Sequence, residues 1–500
     1  MSKSFLGEMK LILRHSLTYS VANMLNRMVA FVMIPIYTRF LSPADYGILE
    51  LISISLGLLS IVVASGITEA VSRFYFDFED QKDRNRVFSV GLISFAVLGV
   101  AIFVLLAPFS GWISELILDS SEQGSFFLIA IGYMGMGLVL QLIFAYLRVV
   151  HRSITLTLTN LAGLVVGVSL NILFVVVLEI GVEGILLATL ISQALQVMVL
   201  VPMTVRAVGL QFDFPLFRDM FRFGFPLIFS QISHQLVTAS DRFFIRSFAG
   251  LADTGLYSLG YKLGALVITF VATPFDMIWA PRRFEHFGEE EAEKNFARIF
   301  TLFIFVITLV GLFISILAKD LLVLAVEESF WDAHKVIPII TLTYVLYSFY
   351  YHFNVAILMK KKTRLYAGIN IATGLLNLVL NYFLIKEYSI WGAAVATLIC
   401  YIFKPALTYY YANQISRIRM ETRNIIVILS TALAIYAVCS LIDTGNVYAN
   451  LLVKTVIGLG HVAILYFMKV LTDEEIARLK SGLAALWSKA GGKLGWSIKR

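Results

Sequence analysis

Apolar stretches long enough to cross a bilayer follow one another from end to end of this chain, separated by short polar gaps. About twenty consecutive apolar residues are needed to span the hydrocarbon core as a helix. Fourteen segments meet that requirement, near 12–38, 46–70, 88–110, 125–147, 154–178, 183–205, 223–248, 256–280, 296–318, 335–359, 365–385, 389–412, 424–442 and 449–470. The pattern predicts fourteen transmembrane helices. The gaps between them are too short for a folded soluble domain.

The gaps alternate in charge. Thirty of the forty Lys and Arg residues lie before segment 1, after each even segment, or in the tail, as in Arg73/Lys82/Arg84/Arg86, Arg282/Arg283/Lys294/Arg298 and Lys360/Lys361/Lys362/Arg364. The opposite gaps hold only Arg39, Lys319, Lys335 and Lys386, and carry acids such as Glu115, Asp119, Asp320, Glu327 and Asp332. Lys and Arg are retained on the cytoplasmic side. Both termini are therefore expected in the cytoplasm, and the number of helices is even.

Composition agrees: 59% of residues are hydrophobic and the mean hydropathy is +0.83. The net charge of +7 belongs to the cytoplasmic rim, where it meets anionic lipid, so nucleic acid is not an expected partner. The first apolar stretch carries Arg27 and no small-residue cleavage site, so it reads as a retained helix. Cys400 and Cys439 both fall inside apolar segments and indicate neither a disulfide nor a metal site. No phosphate-binding G-x-x-x-x-G-K-[ST] loop is present, which excludes an ATP-driven pump within one chain.

The chain repeats itself. At a shift of 208 residues, Phe40–Leu51 aligns with Phe248–Leu259 on the pattern F-x-x-x-A-D-x-G-x-x-x-L. At the same shift Gly184–Ile191 aligns with Gly392–Ile399, and with small gaps Arg73-Phe74 matches Arg283-Phe284 and Asn171 matches Asn381. These matches predict two homologous six-helix lobes, 1–205 and 223–412, joined by a cytoplasmic linker 206–222. Segments 13 and 14 within 413–471 are additions. The tail 472–500 opens on the capping-box residues Thr472 and Glu475 and reads as an amphipathic helix on the cytoplasmic leaflet.

Polar groups inside apolar segments are the candidates for function, since a charge at mid-bilayer costs about 2.5–3.5 kcal/mol on insertion scales. Tyr19, Asn23 and Arg27 form one stripe of segment 1; Gln231, Gln235, Thr238 and Arg242 form one of segment 7, with His234 and Asp241 beside it; segment 8 carries Lys262, Thr269, Thr273 and Asp276. One reading lines a water-filled cavity with Arg27, Arg242, Arg246 and Lys262, together with Asn23 and Gln235, and makes it cationic enough for a diphosphate. Asp241 and His234 are then candidates for ion or proton coupling. The other reading pairs Asp241 with Arg242 or Arg246 as structure, lets Arg246 and Lys262 snorkel outward, and makes His234, His352 and His461 packing residues. Lys404 before Pro405 marks either a cavity-facing bend or a plain kink, and Lys454 reads as a snorkelling residue.

The stretch Ile34-Pro35-Ile36-Tyr37-Thr38-Arg39-Phe40-Leu41-Ser42-Pro43-Ala44-Asp45-Tyr46-Gly47 resembles the signature of bacterial polysaccharide-biosynthesis membrane proteins. These are the Wzx-type O-antigen and exopolysaccharide flippases of the multidrug/oligosaccharidyl-lipid/polysaccharide exporter superfamily. Phe223-Gly224-Phe225-Pro226 at the start of segment 7 is also similar. The resemblance implies an all-α, V-shaped, two-lobed transporter of the bacterial cytoplasmic membrane. It would move a polyprenyl-diphosphate-linked oligosaccharide between leaflets by alternating access, with no cofactor and no bond made or broken. Membrane lipids and polysaccharide polymerase machinery are the other partners it implies. The alternatives are a peptidoglycan lipid II flippase and a drug/cation antiporter of the same superfamily. A membrane glycosyltransferase is disfavoured: its candidate carboxylates, Asp77/Glu79/Asp80 and Glu289/Glu290/Glu291, read as solvated loop charges.

Overall fold

A computed structural model describes residues 28, 29, 31–64, 66–285, 289–473 and 475. Arg27, Asn23 and nearly all of the expected tail helix lie outside the described residues, as does the side chain of His234. Among the described residues every regular element is helical. Eleven helical spans among the described residues are long and apolar enough to cross a membrane, and the chain is a multi-pass membrane protein.

In chain order, α1 is the short apolar helix Phe31–Phe40. It is followed by α2 (Pro43–Ala64), α3 (Ile67–Phe74), α4 (Gln81–Leu106), α5 (Ser110–Leu118), α6 (Gly124–Val149), α7 (Ser153–Asn171) and α8 (Val182–Val208). Then come α9 (Phe214–Ala249), α10 (Leu251–Gly264), α11 (Thr273–Glu285), α12 (Glu290–Ala325), α13 (Ile337–Tyr347) and α14 (Phe349–Met359). The last three are α15 (Thr363–Ile415), α16 (Thr422–Ser440) and α17 (Val447–Phe467). Helix α15 is two helices joined at Ser389, whose φ is 47° and ψ −129°. Much of the expected linker 206–222 is helical: α8 continues through Val208, and α9 starts where Asp213 caps it, its carboxylate accepting from the Leu216 N–H at 3.1 Å. An N-cap Asp followed by Pro215 is a strong helix start, and it outweighs the polar character of the stretch.

The signature stretch has a local physical meaning. Ser42 caps α2, Pro43 sits in its first turn, and Asp45 closes a capping box: its carboxylate accepts from the Ser42 N–H at 2.9 Å, and the Ser42 hydroxyl accepts from the Asp45 N–H at 3.2 Å. The second capping box forms as well, between Thr472 and Glu475.

The chain packs as two compact units. One contains the described residues up to Tyr261 together with Ala325–Val336 and Ala367–Cys400; the other contains Lys262–Leu324, Ile337–Tyr366 and the described residues from Tyr401 onward. In the first, Phe88, Phe95, Leu138, Leu142 and Ile143 form one core, and Leu51, Ile52, Phe127 and Ile131 another. In the second, Phe300, Ile304 and Ile307 of α12 pack with Ile428 of α16 and Leu465 of α17. Helices α16 and α17 are thus integral to that unit's core.

Local geometry recurs where the sequence repeats. Gly181 has φ 68° and ψ −135°, and 208 positions on Ser389 adopts nearly the same conformation. The turn after α6 places His151 at φ 57°, with the N–H groups of residues 150, 151 and 152 donating to carbonyls of 146, 148 and 147; the turn after α14 repeats this at Lys361, 210 positions on, with 360, 361 and 362 donating to 356, 358 and 357. The Tyr37 hydroxyl of α1 donates to Asn171 at 3.1 Å, and Asn381 donates to Ser240 of α9 at 3.4 Å. Each asparagine therefore ties back to the opening helix of its own repeat. In the first unit the motif glycines face one another across α2 and α10: a Cβ on Gly47 would fall on the Leu251 carbonyl oxygen, and one on Gly255 on that of Pro43.

Candidate functional site

The cationic residues expected around a cavity meet different fates. Arg242 and Asp241, adjacent on α9, are 3% and 2% exposed. The Arg242 guanidinium donates to Asp241 at 2.7 Å and to the Thr238 carbonyl at 2.8 Å, while the Tyr257 hydroxyl donates to the other Asp241 oxygen at 2.6 Å. The guanidinium also lies over the Tyr261 ring, 4.0 Å from its centroid. Charge, hydrogen bonds and cation–π contact all close on one another, locking α9 to α10. In this arrangement the pair is enclosed, and its charges compensate each other.

Arg246, one turn on, makes a 2.5 Å ion contact with Asp119, whose side chain is 77% exposed. Lys262 is exposed. Gln235 packs its amide against Gly57 of α2, and Gln231 donates to Glu69 of α3 at 3.4 Å. The polar stripe of α9 therefore covers the α2–α3 junction. Tyr19, Asn23 and Arg27, the stripe of segment 1, fall outside the described residues.

Three polar groups behave differently from their sequence readings. Lys454 is not a snorkelling residue: it is buried in α17, its ammonium 2.6 Å from Asp320 of α12, and Asn450 donates to the same carboxylate at 3.0 Å. A buried partner removes the need to reach the interface. Arg283, counted among the cytoplasmic cations, is fully buried in α11 with an Nη1 2.6 Å from His352 Nδ1. Guanidinium can only donate, so Nδ1 accepts, and Nε2 carries the hydrogen facing the Arg419 carbonyl at 3.4 Å. His352 stacks on Phe300 at 4.2 Å and is a packing histidine, as is His461, buried beside Thr431. Lys404 is 8% exposed and sits over the rings of Tyr350 at 4.4 Å and Tyr347 at 5.1 Å. Among the described residues no carboxylate pairs with it.

The first unit holds an open pocket of about 390 Å³ that charge-based reasoning passed over. It is lined by Gln141 and Arg148 of α6, Asn160 of α7, and Gln193 and Gln196 of α8, with Phe144 as its aromatic wall. These amides stand inside apolar segments and were available as a signal. Among the described residues no group of three or more His, Cys, Asp or Glu could hold a metal ion. The two cysteines are buried and unpaired.

With this geometry in hand, the chain can be placed. Residues 12–287 match the family model for polysaccharide biosynthesis proteins. The chain belongs to that family. The match takes in the signature stretch, the α2 capping box, the Arg242–Asp241 pair and the amide-lined pocket. No curated protein matches the chain in sequence. Among solved structures, a lipid II flippase, MurJ in its inward closed conformation, is similar with a TM-score of 0.68 at 14% identity, covering 90% of this chain and 98% of that one. An inward-facing multidrug resistance MATE transporter gives 0.64 at 16% identity, covering 81% and 96%. A transporter of the same superfamily from Pyrococcus furiosus, described as having a binding pocket of reversed polarity, gives 0.57 at 17% identity, covering 81% and 95%. The chain therefore has the fold shared by these flippases and transporters. At such identities the likeness speaks for the fold alone.

Proposed function

We propose that this protein is a flippase that moves a polyprenyl-diphosphate-linked oligosaccharide across the cytoplasmic membrane for surface polysaccharide assembly. The observation that carries the reading is the family match over residues 12–287. The basic gaps put both termini in the cytoplasm. The two sequence repeats, 1–205 and 223–412, act as lobes that alternately expose a binding site to each side, with 413–471 appended to the second. Arg27 and Lys262 are the residues assigned to the diphosphate, and the Arg242–Asp241 pair locks α9 to α10. The lipid tail stays in the bilayer, and no covalent step is required of the protein.

Native mass spectrometry of the protein released from its membrane tests this reading. A co-purified polyprenyl-diphosphate oligosaccharide supports it; a pentapeptide-bearing lipid II mass moves the protein to peptidoglycan synthesis. Arg27→Ala should abolish polysaccharide export at normal membrane abundance, and normal export would remove Arg27 from the mechanism. Reporter fusions near residues 115, 325 and 445 should lie outside the cytoplasm, and those near 80, 290 and 420 inside it.

A further inference from the structure

We infer that the pocket between α6, α7 and α8 is a saccharide subsite, binding sugar hydroxyls through Gln141, Asn160, Gln193 and Gln196. This rests on the proposed flippase function for its biological ligand, while the pocket itself stands on geometry.

The lining holds four carboxamides, one arginine and one aromatic ring, with two leucines and two glycines, around about 390 Å³, a size suited to a small ligand. Carboxamides donate and accept in one group, as hydroxyls do, and a ring face suits the C–H face of a sugar. A diphosphate would call for several cations, and only Arg148 is present; an apolar drug would leave the amides unsatisfied.

The amides are only partly used by the protein: Asn160 donates one hydrogen to the Leu156 carbonyl at 2.9 Å and keeps its oxygen and second hydrogen. The Gln193 Oε1 is shut off from solvent and has no hydrogen-bond partner among the described residues. Gln196 donates only weakly, to the Ser192 carbonyl at 3.4 Å. A buried oxygen without a donor costs roughly 1–3 kcal/mol, so a rotation of the Gln193 amide into the pocket to meet a ligand hydroxyl would relieve that cost.

The second repeat shows that the space is opened by particular residues. At a shift of 208, Gln193 and Gln196 correspond to Tyr401 and Lys404; at the 210 of the adjoining turn, Gly137 corresponds to Tyr347. Tyr347 and Tyr401 pack with centroids 4.6 Å apart and planes tilted by 31°, and Lys404 lies over Tyr347. A smaller apolar hollow of about 190 Å³ adjoins Tyr401. In the first repeat the Gln193 amide oxygen packs against Gly137, 3.3 Å from where a Cβ would be, and the Gln196 amide packs against Gly163. The same backbone thus accepts a plug in one place and carries a polar pocket in the other.

The test transplants the plug. In lipid nanodiscs, a single cysteine at Leu164, in a protein with Cys400 and Cys439 replaced by alanine, is labelled with a charged maleimide. The probes are glucose, galactose, rhamnose, N-acetylglucosamine and glucuronate, with glycine betaine as the osmolyte control. At least one sugar should slow labelling threefold or more, and Gly137→Tyr/Gln193→Tyr should abolish that protection. Gln193→Leu keeps the volume without the amide and should also abolish it, which covers any misfolding of the double variant. In cells, Gln193→Leu should lower polysaccharide export at least tenfold at normal membrane abundance. Absence of protection by every sugar, protection that survives Gln193→Leu, or undiminished export by that variant overturns the inference. Sugar protection in a protein that carries no lipid-linked oligosaccharide would uphold the pocket and overturn the proposed function instead.

Discussion

The α6–α8 pocket and its counterpart around Lys404 are built on matching stretches of the two repeats, yet one holds space and the other is filled. Gly137, Gln193 and Gln196 leave an open cleft with an unsatisfied amide oxygen. Tyr347, Tyr401 and Lys404 pack rings and a cation into the same positions. An aromatic side chain buries some 150–250 Å², so two tyrosines at positions where the first repeat has Gly and Gln fill with packing what is open there. Matching stretches of sequence thus carry side chains that pack in different ways. The filled copy is also the one braced by α16 and α17, which have no counterpart in the first repeat.

The brace offers the largest test of that contrast. Asp320→Asn leaves Lys454 charged and buried without its partner and should cost about 3–5 kcal/mol, seen as loss of monodisperse protein after heating. The paired change Asp320→Leu/Lys454→Met should recover most of it; a single variant as stable as the wild type would mean the brace is dispensable. Next comes the glycine contact within the first unit. Gly255→Ala places a Cβ on the Pro43 carbonyl oxygen, and Gly47→Ala one on that of Leu251. Overpacking against backbone should cost about 3 kcal/mol in either variant. Gly132→Ala, whose Cβ would lie 3.5 Å from Leu190, should be tolerated. Smaller again is Tyr401→Gln, which installs the first repeat's residue in the second. Loss of ring packing should cost about 2 kcal/mol; sugar protection gained at this site would show that an amide there is enough to make a pocket.

Much of this was legible along the chain, because helices in a bilayer are specified locally. Apolar length, the Ser42–Asp45 and Thr472–Glu475 boxes and the 208-residue repeat each depend on neighbours or on self-comparison. Asp241 and Arg242 adjoin, so their pairing was one of two open readings. What could not be read depended on distant helices. Lys454 resembled a snorkelling residue because Asp320, 134 positions away, is visible only in the fold. Arg283 counted as a loop cation until His352 closed on it. The pocket amides carry no charge, and polarity without charge is a faint signal against 59% hydrophobic residues.

The smallest effect separates the buried brace from its exposed neighbour. In the α16–α17 connection Asp443 accepts from Lys319 at 3.0 Å, from the Gly445 N–H at 3.1 Å and from Asn450 at 3.4 Å. The hydrogen bond from Lys319, then those from Gly445 and Asn450, pull its carboxyl down to about 2. A carboxyl held below its unfolded value, near 4, stabilises the folded state fully above that value and loses the contribution as pH falls toward 2. The melting difference between wild type and Asp443→Asn should thus be constant from neutral pH to about 5, then shrink on acidification. Salt should also reduce it, because both partners face water. The Asp320→Asn difference should resist salt, since that pair is enclosed. Equal salt sensitivity at the two sites would mean that water reaches the Asp320–Lys454 pair, and that the brace on the filled repeat is looser than its packing indicates.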